Sequence, residues 1–405
     1  MSTSVMTSAA VFPPQIDRLE RSARNAAVVG LLASLIGFFV DSTQFYRSWL
    51  FAFLFWVGIA IGCLSVSMIH HLSGGMWGLV IRRILEAGTR TFAVLAVLFL
   101  PLLLGIPRIF PWARPDAASD PVLSQKALYL NIPFFVGRAV FYFAVWLALA
   151  YFLNRWSLAL DAEETPEAGK GLAIARRLRG LSGGGLLLMG LTISFASVDW
   201  AMSLDPHWFS TIYGVLFMVG QALSALALVI VLVASIGSAP PLAGVLRREQ
   251  IHDLGKLMLA FVMLWAYINL SQFLIIWSGN LPEEIPWYLT RLSGGWQWLG
   301  FLLVAGHFIL PFLMLLSRDL KRSALLLGRV AGLVLAVRLI DLYWLVGPDL
   351  AGHGQGAGLH LHWLDVAAPL GVGGLWLWAF ARELKGRPLL PLGEPEIRAR
   401  LEGRA

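Results

Sequence analysis

The sequence predicts an all-α polytopic membrane protein, and three observations favour this class: the composition, the apolar runs and the placement of basic residues. Of the 405 residues, 58% are hydrophobic and only 14% are charged, and the mean hydropathy is +0.72. These values exclude an ordinary soluble domain. The net charge of +7 does not require a nucleic acid as partner, because membrane proteins carry an excess of lysine and arginine in their cytoplasmic loops.

Ten apolar runs are long enough to form membrane-spanning helices, which need about twenty residues each. We number the predicted helices one to ten in chain order. They cover residues 25–44, 48–70, 89–106, 131–153, 182–202, 212–235, 256–278, 296–317, 325–346 and 363–382.

The distribution of lysine and arginine predicts the orientation of these helices. If the N-terminus is cytoplasmic, five basic residues fall on the opposite side and two, Arg138 and Arg338, lie well inside helices. The other 24 of the 31 lie in cytoplasmic segments or at the cytoplasmic ends of helices. Such a bias follows the positive-inside rule and favours an even number of spans. Both termini should therefore face the cytoplasm. The five residues on the opposite side are Arg47, Arg108, Arg114, Lys126 and Arg291.

The predicted helices divide the chain into six segments. Residues 1–24 should form an uncleaved cytoplasmic arm, because no small-residue cleavage site follows the first apolar run. The later segments are the first helix (25–47), helices two to five (48–202), helices six to nine (203–346), an outer loop with helix ten (347–382) and a cytoplasmic tail (383–405).

The stretch SVDWAMSLDPHWFSTIYG, residues 197–214, joins helices five and six and is the most informative part of the chain. Its rings Trp200, Trp208 and Tyr213 suit the headgroup level, where an aromatic side chain can be half wet. Asp199 lies about four residues from the end of its apolar run, roughly 6 Å along the helix axis. Partners should therefore hold it at the rim of the hydrocarbon. Two interpretations stay open: an interfacial loop with an aromatic belt, or a functional carboxylate at Asp199.

Ionisable residues inside membrane helices are costly, so each needs a partner or a function. Arg138 lies inside helix four, and His307 lies near the middle of helix eight. Arg338 and Asp341 of helix nine are three residues apart, a spacing that places both on one helical face. They form either a salt bridge that locks helix packing or a polar node in a proton path with His307, since histidine titrates near physiological pH. For His307 alone, a hydrogen bond to a neighbouring helix is an equally good interpretation.

The sequence predicts neither a haem nor a metal site. The single cysteine, Cys63, lies inside an apolar run, so there is no disulfide framework, no thiolate metal cage and no C-x-x-C-H haem attachment site. His307 has no evident membrane partner for a haem with two histidine ligands. The other histidines of the outer side surround a glycine-rich run that is typical of a flexible loop; they are His207, His353, His360 and His362.

Three stretches of the sequence resemble one known family. They are residues 197–214, the run HHLSGGMWGLVIRRILEAGTRT at residues 70–91, and LMLAFVMLWAYINLSQFLIIWSGNLPEEIPWY at residues 257–288. They resemble the integral membrane F subunit of alternative complex III, a bacterial quinol:cytochrome c or cupredoxin oxidoreductase. This subunit is related to the NrfD-like membrane subunits of polysulfide-reductase type. The resemblance runs from about Arg18 to helix ten.

The resemblance implies ten transmembrane helices in two four-helix bundles, formed by helices two to five and six to nine and flanked by helices one and ten. It implies a respiratory complex of the bacterial inner membrane, whose other subunits are a second NrfD-like membrane subunit, an iron–sulfur subunit and cytochrome c subunits. Those partners would hold the haem c and the iron–sulfur clusters, and this chain would bind no cofactor of its own, with a quinol site left open. The residues that match a role in moving protons are Asp199, Arg138, His307, Arg338 and Asp341.

Three functions stay open at this point. The favoured one is a non-redox subunit of a quinol-oxidising respiratory complex, which anchors the other subunits and contributes a proton pathway. A quinone-binding subunit would need an apolar cleft that opens to lipid. A purely structural anchor would have all its intramembrane charges paired internally. In each case catalysis would belong to the complex and not to this chain alone.

Overall fold

The computed structural model describes residues 12–163, 169–351 and 358–402, and all regular secondary structure within them is helical. Nine helices of this part of the chain are long and apolar enough to cross a membrane. The prediction of a multi-pass, all-α membrane protein is therefore confirmed.

Ten long helices organise the described residues. They are α1 (Pro14–Val40), α2 (Ser42–Ser73), α3 (Arg82–Leu104, with a break at residues 90–91), α4 (Ile132–Asp161), α5 (Gly169–Trp200), α6 (Tyr213–Ile236), α7 (Arg248–Gly279), α8 (Trp296–Leu316), α9 (Ala324–Ala351) and α10 (Leu364–Lys385). The nine that meet the criterion of length and apolar character are all of these except α9, which carries Arg338 and Asp341.

Shorter helices lie between the long ones and after α10. They are Met76–Leu79, Ile106–Ile109, Pro121–Lys126, Ile285–Arg291, Arg318–Arg322 and Pro395–Leu401, with 3₁₀ turns at Pro111–Ala113, Ala117–Ser119, Met202–Leu204 and Leu242–Gly244.

Local sequence signals explain where several long helices begin. Asp41 accepts a hydrogen bond from the backbone N–H of Gln44 over 2.9 Å and caps α2. Asn131 caps α4 in the same way through the N–H of Phe134, over 3.0 Å. Side-chain oxygens at these positions satisfy N–H groups that have no partner within the helix.

Two helices form the centre of the molecule. In their most apolar windows, α2 is 89% buried and α6 is 83% buried, against 28% for α1, α7 and α8. α2 packs against α3, α5, α6 and α10, and α6 packs against α5, α7 and α9. The outer helices therefore present apolar side chains such as Val29 and Phe39 of α1 to the surroundings, as expected for helices that face lipid.

Glycines allow a close backbone contact between α1 and α10. A Cβ atom on Gly371 of α10 would lie 2.7 Å from the carbonyl carbon of Gly30 of α1. Small residues at such positions let two backbones approach in a membrane, where close packing replaces the hydrophobic effect as the force between helices.

Some helix boundaries differ from the sequence-based ones. α1 begins at Pro14 and so includes half of the predicted N-terminal arm, and α3 begins at Arg82 rather than at residue 89. α9 continues to Ala351, beyond the predicted end at residue 346. Helical hydrogen bonding extends past the apolar windows because polar residues can continue a helix outside the hydrocarbon.

Candidate functional site

Arg138 of α4 and Asp199 of α5 form an ion pair in which the carboxylate is fully buried and the arginine is partly buried. Arg138 Nε and Nη2 donate to the two carboxylate oxygens of Asp199, each over 2.8 Å. The hydroxyl of Tyr142 donates a third hydrogen bond, to Asp199 Oδ2 over 2.7 Å. Asp199 is 0% exposed, and a bidentate arginine with a hydroxyl supplies the partners that a buried carboxylate needs.

The other side of Arg138 is also fixed. Its Nη1 donates to the backbone carbonyl of Tyr129 over 2.9 Å. The guanidinium carbon lies 3.8 Å from the centroid of the Tyr129 ring and 4.7 Å from that of Phe134. These contacts combine hydrogen bonding with cation–π attraction and hold the arginine against the carboxylate of Asp199.

The aromatic residues that follow Asp199 are buried and not half wet. The exposed fractions of Trp200, Trp208 and Tyr213 are 2%, 3% and 1%. Trp208 stacks on Trp287 of the short helix Ile285–Arg291, with ring centroids 4.8 Å apart and an interplanar angle of 13°. The expectation that these rings are half wet is therefore wrong, because other side chains of the protein cover them.

Arg338 and Asp341 of α9 form a second buried ion pair. Arg338 Nη1 donates to Asp341 Oδ2, and Trp265 Nε1 of α7 donates to the same oxygen over 2.9 Å. Arg338 also packs on Gly220 of α6, where a Cβ atom would lie 2.3 Å from the guanidinium carbon. The glycine therefore makes the space that the guanidinium occupies between α6 and α9.

His307 is 0% exposed and lies beside Trp265. The two ring centroids are 4.3 Å apart, and neither ring nitrogen of His307 has a hydrogen-bond partner among the described residues. The residue belongs to a π-helical segment of α8, Val304–Ile309. Such segments interrupt an α-helix by one turn and occur frequently at functional sites.

The five candidate residues thus fall into two groups. Arg138 pairs with Asp199 across α4 and α5, whereas Arg338, Asp341 and His307 meet around Trp265. Each group contains a carboxylate, an arginine and an aromatic hydrogen-bond donor. α6 packs against both α5 and α9 and so links the two helices that carry the carboxylates.

The structure contains a third buried ionic network that the sequence analysis missed. Glu86 of α3 accepts hydrogen bonds from Arg82, Arg83 and Ser157, and Arg83 also donates to Asp161 at the end of α4. The network was missed because helix three was predicted to begin at residue 89, which placed both arginines in a loop. The available signal was the spacing of three and four residues from the arginines to Glu86, which places these charges on one helical face.

The C-terminal segment packs over this network. Glu394 accepts a hydrogen bond from Arg82 Nη1 over 2.5 Å, and the N–H of Gly393 donates to Asp161 Oδ1 over 2.9 Å. Arg387 donates to Asn154 Oδ1 over 2.8 Å. Burial lowers the pKa of Arg387 to about 10, and the neighbouring positive charges add to this shift. The C-terminal segment therefore packs against the start of α3 and the end of α4.

The histidines predicted to lie on the outer side do not form a joint site among the described residues. His207 Nε2 lies 2.7 Å from Asp120 Oδ2, while His362 Nδ1 accepts from the N–H of Leu364 over 3.3 Å. His353 lies outside the part of the chain that the structure describes. Within that part, no group of three or more histidine, cysteine, aspartate or glutamate residues is arranged to hold a metal ion.

Comparison of the chain with protein-family models and with curated proteins finds no match. In an apolar interior, the Arg138–Asp199 and Arg338–Asp341 pairs and the buried His307 can do one of two things: stabilise helix packing, or exchange protons.

Proposed function

We propose that the chain is the non-redox membrane subunit of a respiratory quinol:electron-carrier oxidoreductase of the alternative complex III type. In this role it anchors the other subunits and contributes part of a proton pathway. The proposal rests on the three motifs that resemble the F subunit and on the buried ionisable residues of α5, α8 and α9. The observation that carries the proton-pathway role is His307, which is fully buried next to Trp265 and has no hydrogen-bond partner among the described residues.

A proton pathway inside a membrane protein needs groups that take up and release protons away from bulk water. Histidine suits this task because its ordinary pKa is near physiological pH. Asp341 Oδ1 has no hydrogen-bond partner within the described residues, so one acceptor of the carboxylate is open to a proton donor. A cluster that only locked packing would be expected to satisfy both His307 and this oxygen, because buried polar atoms without partners are costly.

The proposal includes ten spans with both termini on the cytoplasmic side of a bacterial inner membrane. Contacts of α2 with α3 and α5, and of α4 with α3 and α5, support one four-helix bundle, and the equivalent contacts among α6–α9 support a second. α1 and α10 pack on each other and on α2, which supports a flanking position. The orientation is supported by the 24 of 31 basic residues that it assigns to the cytoplasm.

The proposal assigns electron transfer to other subunits. An iron–sulfur subunit and cytochrome c subunits would carry the electrons, and a second NrfD-like membrane subunit would hold the main quinol site. This chain would then bind no redox cofactor. Substitutions of its candidate proton-pathway residues should alter proton movement without altering the cofactor content of the complex.

The test is to measure quinol oxidation and proton translocation by the purified complex in proteoliposomes. We expect Asp341→Asn, Asp199→Asn and His307→Ala to leave oxidation in place while translocation falls, by roughly 100-fold if the residue transfers a proton directly. Asp253→Asn is the matched control, because this carboxylate of α7 is exposed and its ion pair among the described residues is with the nearby Lys256.

Removing one member of a buried ion pair leaves the other charge unpaired and can prevent assembly. The double variant Arg338→Gln/Asp341→Asn removes both charges and keeps a neutral, similarly shaped pair. If this variant assembles and pumps normally, Arg338 and Asp341 only stabilise helix packing; if His307→Ala and Asp199→Asn also pump normally, the chain is an anchor. If the double variant assembles but loses quinol oxidation, the chain binds quinone.

A further inference from the structure

Gln221 of α6 lies between the two groups of candidate residues: it shares one cavity with Arg338 and another with Trp200, the neighbour of Asp199. It is 7% exposed, and its side-chain oxygen Oε1 has no hydrogen-bond partner among the described residues. Leaving a buried amide oxygen without a hydrogen bond is unfavourable, so we expect a hydrogen-bond donor beside it. Two small cavities adjoin this side chain, one on each side.

The first cavity lies between α2, α6 and α9. Gln221, Ser224, Arg338 and Gly58 contribute to its wall, together with four apolar side chains, and its volume is about 10 Å³. This is roughly the space that the centre of one water molecule needs. The guanidinium of Arg338 has five N–H donors, and the hydrogen bond that the described residues give it goes to Asp341. A water here would have donors and acceptors on both sides.

The second cavity lies between α2, α5 and α6. Gln221, Ser197 and Trp200 line it with apolar neighbours, and its volume is also about 10 Å³. The indole N–H of Trp200 is buried and has no acceptor among the described residues. Ser197 and Trp200 flank Asp199 in the sequence, so this cavity adjoins the turn of α5 that carries the first carboxylate. Leu54 and Phe217 line both cavities.

We propose that Gln221 holds one water molecule in each cavity. Its amide then joins the two waters into a hydrogen-bonded chain from the guanidinium of Arg338 to the indole N–H of Trp200, next to Asp199. Each polar atom that lacks a partner in this region gains one: the Gln221 oxygen accepts, and the Trp200 N–H donates. The proposal that these hydrogen bonds couple the two Arg–Asp groups across α6 rests on the proposed proton-pathway function. The proposal that the two cavities hold water does not.

The first measurement is a high-resolution electron cryomicroscopy map of the whole complex. In the wild-type protein we expect one water peak in each cavity. Gln221→Leu should lose both peaks. Gly58→Ala should lose only the first, because Gly58 lines that cavity alone and its Cβ would lie 3.1 Å from Gln221 Cγ. The matched control is Gln272→Leu: Gln272 is also a buried glutamine without side-chain partners among the described residues, and it lines neither cavity.

A wild-type map that resolves other buried waters but has no peak beside Gln221 overturns the proposal. So does retention of both peaks in Gln221→Leu. If Gln221→Leu does not assemble, the wild-type map and Gly58→Ala still decide the matter. This outcome can be separated from that of the proposed function. If the wild-type map shows the waters but Asp199→Asn and Asp341→Asn pump normally, the proton pathway is overturned and the hydration site stands. If those variants lose pumping but the map shows no waters, the hydration site is overturned and the proton pathway stands.

Discussion

The buried side chain of Arg291 is held by a dense set of partners. Arg291, 0% exposed, donates to the backbone carbonyls of Trp287 and Leu345 over 3.1 and 2.5 Å and to the Asp349 carboxylate over 2.8 Å. Its guanidinium carbon lies 3.5 Å from the Trp287 ring centroid. Taking a cation out of water costs several kcal/mol, and these contacts together offset that cost. Arg338 has fewer protein partners, and its position therefore depends more on the space around it.

Gly220→Ala tests that dependence. The new methyl group would lie 2.3 Å from the guanidinium carbon of Arg338, so the arginine must move and its bond to Asp341 must lengthen or break. We expect the free energy of unfolding to fall by about 1–3 kcal/mol, the usual cost of overpacking a core. Thermal unfolding of the purified protein in detergent measures the change.

Gly332→Ala is the control for this substitution. It lies on α9, in the same helix contact, but its new Cβ would meet nothing closer than Val231 Cγ2 at 3.9 Å. Because alanine is a better helix former than glycine by up to about 1 kcal/mol, the control should be neutral or slightly stabilising. Equal melting temperatures for the two variants would mean that Arg338 is not confined as the structure indicates.

The π-helical segment of α8 has a physical cause in the sequence. In a regular α-helix the carbonyl of His307 would accept from the N–H of the residue four positions later. That residue is Pro311, which has no N–H and whose ring clashes with this carbonyl. The helix therefore widens over Val304–Ile309, and His307 turns to the position where it contacts Trp265. Because α8 is apolar on all its faces, its hydrophobic pattern does not reveal the π segment. The spacing of four residues from His307 to Pro311 was the signal that could have predicted it.

Pro311→Ala should restore regular hydrogen bonding in α8. With the missing N–H supplied, we expect the π segment to shrink and His307 to rotate away from Trp265, so that proton translocation falls while the complex still assembles. A structure of the variant and the proteoliposome assay measure the two effects. Pro101→Ala, at a proline inside α3, is the control and should change neither. A retained π segment in Pro311→Ala would show that tertiary packing, and not the proline, sets the geometry.

At the scale of the whole molecule, class and helix positions are predictable because few structures are stable in lipid. A run of about twenty apolar residues must form a helix there, since every backbone group needs an internal partner. Pairing across helices is harder. The spacing of Arg338 and Asp341 within one helix predicts their contact, but nothing in the sequence joins Arg138 to Asp199, which lie on different helices and meet only through packing. Glu86 was hidden for another reason, because its arginine partners match the pattern of a cytoplasmic loop.

The proposed orientation can be tested with the protein's own cysteine content. The single cysteine, Cys63, is buried, so a membrane-impermeant maleimide should not label the wild-type chain. Ala118 and Ala162 are exposed residues between α3 and α4 and after α4, and one transmembrane helix separates them. In intact spheroplasts we expect Ala118→Cys to react and Ala162→Cys to react only after permeabilisation. Reversed labelling would place both termini outside the cytoplasm, and equal labelling from one side would mean that α4 does not cross the membrane.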